Sequence, residues 1–125
     1  MELGNFSSDN FEVVCPYDAA DGSTVTLRYV PIAKAQAIHA KATKTTKTTR
    51  GLERETDDAK FAQLWGEWAV VGWSGFTMGG EEYPFTPENR DALMRGHRAF
   101  RKFVLDTSDD IEALTAIERE KTRGN

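Results

Sequence analysis

Residues 72–89 read Gly72-Trp73-Ser74-Gly75-Phe76-Thr77-Met78-Gly79-Gly80-Glu81-Glu82-Tyr83-Pro84-Phe85-Thr86-Pro87-Glu88-Asn89. Trp68 and Trp73 flank the way in, and Gly79-Gly80 marks a reversal. Thr86 supplies a capping hydroxyl. Pro87 suits a first helical position, where its missing N–H is not needed, and Glu88 favours the positive end of the helix dipole. The stretch predicts that one helix ends, a glycine-rich turn or short hairpin reverses the chain, and a second helix begins. It is a structural signature and contains no reaction chemistry.

Upstream, Phe61, Leu64, Trp65, Trp68 and Val71 fall on one face of a 3.6-residue period, which predicts an amphipathic helix over 57–71. Thr56 or Asp57 is its cap, and the acidic start suits the dipole. Two tryptophans on one face are read as a core anchor. Downstream, a short helix over 87–95 should end at Gly96, and a second should run over 97–105. Asp106-Thr107-Ser108-Asp109 breaks it, and a final helix over 109–121 carries Ile111, Leu114 and Ile117 as a narrow stripe.

The N-terminal half has a different rhythm. Residues 11–15 form a β-rich run closed by Pro16. Asp21-Gly22 is the expected turn, and over 24–30 Val25, Leu27 and Tyr29 alternate with polar neighbours. Together they predict a β-hairpin. Pro31 then opens an alanine-rich helix to about Ala42, with Ile32, Ala35, Ile38 and Ala42 as its apolar stripe. In residues 43–49 a lysine recurs every third position with threonine between, and nothing offers an apolar face, so 43–56 is read as a mobile basic loop. Glu53, Glu55, Asp57 and Asp58 follow at once and are expected to neutralise it.

The chain has 125 residues, 39% of them apolar and 29% charged, with a net charge of −4. This is one modest domain with no long-range pull on nucleic acid or anionic lipid. The single cysteine, Cys15, lies in an apolar run and is read as a buried small hydrophobe. No signal peptide and no membrane span are expected. His39 and His97 each stand alone, without a second metal ligand at the usual spacing. Adjacent carboxylates such as Asp57/Asp58 point apart, and Ser74 is not in a nucleophile elbow. These readings predict no catalytic residues, no cofactor and no metal, hence not an enzyme.

Several segments carry a resemblance: Leu27-Arg28-Tyr29-Val30, Lys41-Ala42-Thr43-Lys44, Asp57-Asp58-Ala59-Lys60-Phe61, Val70-Val71-Gly72-Trp73-Ser74-Gly75-Phe76, Pro84-Phe85-Thr86-Pro87-Glu88-Asn89 and Phe100-Arg101-Lys102-Phe103-Val104-Leu105. Over residues 11–106 the chain resembles small phage and prophage proteins similar to the tail assembly chaperones of long-tailed phages. The resemblance implies a non-catalytic protein of the host cytoplasm that binds the tape-measure protein or other tail proteins. It also implies self-association, absence from the finished particle and, in some members, a frameshifted longer form. Neither a membrane nor a nucleic acid is the expected partner. A minor virion component, such as a head–tail connector, and a host-directed inhibitor are the alternatives.

The expected architecture is α+β: an N-terminal β-hairpin followed by a mainly α-helical domain of four or five helices. Residues 1–10 are read as loose, 11–106 as a single domain and 107–125 as a C-terminal helical arm. The expected partner surface combines Ala35, Ile38 and Ala42 with Ile111, Leu114 and Ile117. Both stripes are narrow, and a second helix laid into them would bury what the chain alone cannot.

Overall fold

The computed structural model describes residues 11–123. The expectation of a loose segment over 1–10 lies outside the described residues. The fold is α+β, as the periodicities predict. Strands β1 (Glu12–Asp18) and β2 (Ser23–Arg28) form the antiparallel hairpin. Its turn uses Gly22 at φ 74°, with Gly22 N–H donating to Asp18 O at 2.9 Å and Ser23 N–H to Asp21 Oδ1 at 2.9 Å. β1 does not stop at Pro16 but runs on to Asp18, with an irregular register between the two. It is an edge strand, where a missing N–H is tolerated.

Helix α1 (Ile32–Ala42) follows Pro31, as expected. Ile32 is not part of an inward stripe, however; it is 74% exposed. The supposed loop is a second hairpin, β3 (Thr43–Thr48) and β4 (Gly51–Thr56), with six paired positions. Threonine is β-branched and suits a strand even where nothing apolar calls for one. Gly51, at φ 113°, takes a backbone conformation closed to other residues.

Helix α2 (Asp58–Ala69) is capped by the Asp57 carboxylate, which accepts from Lys60 N at 3.1 Å. It is shorter than expected. Val70 and Val71 belong to β5 (Val70–Ser74), which pairs antiparallel with β2 and completes a sheet of order β1-β2-β5. Two-residue strands β6 (Thr77–Met78) and β7 (Glu81–Glu82) then meet across Gly79 and Gly80, both at positive φ, the geometry of a tight primed turn.

Helix α3 (Pro87–Gly96) begins as the sequence predicts, with Thr86 Oγ1 accepting from Asn89 N at 3.0 Å. The next helix, α4 (Arg98–Ser108), is longer than expected and passes through Asp106. The cap of α5 (Ile111–Arg123) is Asp110, whose Oδ1 accepts from Glu112 N and Ala113 N at 3.0 Å. Arg101 reaches back from α4 to the carbonyls of Met94 and Arg95, so the open end of α3 is satisfied.

The register Val13↔Leu27 and Cys15↔Val25 puts four apolar side chains on one sheet face. They pack with Trp65 and Ala69 of α2, Met94 of α3, Phe100 and Val104 of α4 and Leu114 of α5. Leu114 is fully buried, which its narrow stripe does not announce. Such burial stabilises by roughly 1.5–3 kcal/mol for a leucine. Trp65 is core, but Trp68 is half-buried. Arg28 and Lys34 lie over its ring, 3.9 and 4.7 Å from its centroid, and its indole N–H donates to Tyr29 O at 2.9 Å. Among the described residues no helix is long and apolar enough to cross a membrane.

Candidate functional site

The β3–β4 hairpin projects from the body with almost no loop at its base. α1 ends at Ala42 and β3 begins at Thr43. On the return, only Asp57 separates β4 from α2, and its N–H donates to Ala42 O at 2.8 Å. Thr43 Oγ1 also donates to His39 O at 2.8 Å, fastening the strand to the helix it leaves. Beyond this base the hairpin is exposed on both faces, with Leu52 near its tip 74% accessible.

Between this hairpin and the body lies a groove of about 690 Å³. Ala35, Gln36, His39 and Ala40 of α1 form one side, and Thr45, Arg54 and Thr56 of the hairpin form the other. Phe61 and Trp65 of α2 make an apolar floor, and Asp109 stands at the end. The His39 ring meets Phe61 edge-on with centroids 6.3 Å apart. The groove therefore offers rings and methyl groups, with threonines and one cation, Arg54, on the hairpin wall.

The six residues expected to form the partner surface are divided by the fold. Ala35 lines the groove. Ile38, Ala42 and Leu114 are core residues, so they present no surface in this conformation. Ile117 packs partly on the core and borders a shallow depression beside Val14 and Pro16, and Ile111 is half-buried on α5. The two stripes do not form one surface, because each has found a partner inside the molecule. α5 is not a separate arm but packs against β1. Thr45 and Arg54 are groove residues that the sequence alone did not single out, and Phe61 reads there only as core. The signal that could have found them is the strand propensity of the threonine run.

A second cavity of about 200 Å³ lies between Tyr17, Phe76, Tyr83 and Phe100, with His97 at its edge. Burial, with Asp18 adding to it, pushes the Tyr17 phenol above its ordinary pKa. His97 Nδ1 accepts from Phe100 N at 3.1 Å, so this histidine caps α4. Among the described residues, no three His, Cys, Asp or Glu side chains gather where they could hold a metal ion.

The profile of the YdaY prophage protein family matches residues 27–125. The matched span takes in α1, the β3–β4 hairpin and α2, and so every element that forms the groove's two walls and floor. The chain belongs to this family of prophage proteins. No curated protein and no solved structure matches it.

Proposed function

We propose that this prophage protein is a non-catalytic chaperone of tail assembly that holds a helical segment of a phage tail protein, the tape measure first among them, in the host cytoplasm. The observation that carries the reading is the groove under the β3–β4 hairpin, with Phe61 and Trp65 as its apolar floor. A two-stranded ribbon standing alone is marginal in water and gains from a partner laid against it. A helix in an apolar groove is a common way for one protein to hold another. Membership of a prophage family supports a phage setting, and the resemblance over 11–106 is what favours tail assembly within it.

The test is co-expression of the protein with the tail proteins of its own prophage. The tape measure should become more soluble and should copurify with it. Ala40→Trp, which fills the groove from an exposed position of α1, should abolish copurification without unfolding the chain. The finished particle should lack the protein. Its presence there would make it a virion component instead, and failure to bind any tail protein would sink the reading.

A further inference from the structure

The charges of the β3–β4 hairpin are sorted by face. Alternation along each strand and pairing across them put Thr45, Lys47, Leu52 and Arg54 on one face. Lys44, Glu53 and Glu55 stand on the other. The first face is the one turned to the groove, which Thr45 and Arg54 line, while Lys47 lies on the same face further toward the tip. Neighbours in sequence are therefore not neighbours in space, and the glutamates do not neutralise this wall. Among the described residues, neither Lys47 nor Arg54 makes an ion pair, and Asp109 is the one carboxylate on the groove lining.

Resting on the reading of the groove as a helix-docking site, we infer that its occupant is an acidic amphipathic helix. Its apolar ridge lies on Phe61 and Ala35, and its flanking carboxylates face Arg54 and Lys47. The basis is charge complementarity joined to an apolar floor. A neutral amphipathic helix would satisfy the floor and leave the cationic wall unused. A nucleic acid duplex would satisfy the cations, but it would meet rings where it needs further positive charge, on a chain of net charge −4. The acidic helix satisfies both the floor and the cationic wall, and electrostatic complementarity of this kind gives specificity and fast encounter.

The full chain can be challenged with a displayed library of amphipathic helical peptides that share one leucine stripe and differ in their flanking residues. Selected peptides should be enriched in Glu and Asp. An acidic peptide should bind about tenfold more tightly at low salt than its Gln-flanked counterpart, and the advantage should shrink as salt rises. The double variant Lys47→Glu, Arg54→Glu should keep the wild-type Tm and reverse the preference toward Lys-flanked peptides. If Gln-flanked peptides bind as tightly as acidic ones, helix docking stands and the charge inference is wrong. Should no peptide bind, whatever its flanks, the docking reading itself fails and takes the inference with it. Displacement of the acidic peptide by a DNA duplex, or by a dimer of the chain formed through the groove, would also overturn it.

Discussion

Trp65 donates its indole N–H to Ser108 Oγ across 2.8 Å, with both side chains buried. Ser108 Oγ donates its own proton to Val104 O, and the Ser108 carbonyl accepts from Val30 N at 2.9 Å. One small residue thus joins α2, α4 and the chain leaving β2.

Ser108→Ala should therefore cost roughly 1–3 kcal/mol, because it strands a buried indole N–H. Adding Trp65→Phe, which removes the orphaned donor, should cost less than the sum of the two single changes. Urea denaturation of the four proteins measures this directly. Additive losses would mean that the hydrogen bond contributes nothing beyond packing.

Gly66 lies in α2 where a Cβ would come within 2.6 Å of Met94 Cγ. Alanine is the better helix former by about 1 kcal/mol. Overpacking, at about 1–3 kcal/mol, outweighs that gain, since Met94 is fully buried and cannot swing aside. Gly66→Ala should lower the Tm. A raised Tm would show that the contact between α2 and α3 relaxes freely.

Burial, reinforced by Glu118, pushes the Cys15 thiol up to about 11. An unfolded thiol titrates near about 8.5. The folded chain keeps its proton where the unfolded chain releases it, so stability falls as pH rises between those values, by about 3 kcal/mol in all. Cys15→Ala should lack this component, and the gap in stability between wild type and variant should narrow across the window. A constant gap would contradict the assignment. The native thiol should also resist alkylation at neutral pH.

The triple change Lys44→Gln, Lys47→Gln, Arg50→Gln should leave stability within about 0.5 kcal/mol, because all three positions are exposed. Leu114→Asp should do the opposite. It buries a carboxylate in the core and should prevent stable folding, at a cost above about 4 kcal/mol. Thermal melts check both variants, and that of Leu114→Asp decides whether the terminal helix is part of the domain.

Local chemistry is legible in the sequence wherever the deciding interaction spans a few residues. The Thr86 cap and the Asp21-Gly22 turn both read correctly. So does the face of α2 that carries Phe61, Leu64 and Trp65. Val70 and Val71 read as a continuation of that helix because their true partner, β2, is distant in sequence. No local period reports such a pairing. The β3–β4 hairpin is hidden because its strands have no polarity alternation, being exposed on both sides. For the same reason the groove is invisible in the sequence, and of the six expected contact residues only Ala35 lines it. Leu114 misleads in the other direction. A narrow stripe looks unsatisfied until β1 is seen to cover it.

The near-absence of loop at the base of the hairpin has a consequence for how the family can vary. Because Thr43 follows Ala42 directly and Asp57 alone precedes α2, each strand inherits its facing from the helix beside it. Lengthening both strands at the tip, one residue each, would extend the arm and leave every existing side chain facing as before. One residue inserted at the junction of α1 and β3 would turn all of β3 over and bring Lys44 to the groove-side face in place of Lys47. Insertions and deletions among relatives should accordingly gather near Thr49 and Arg50, while the two joints keep constant length.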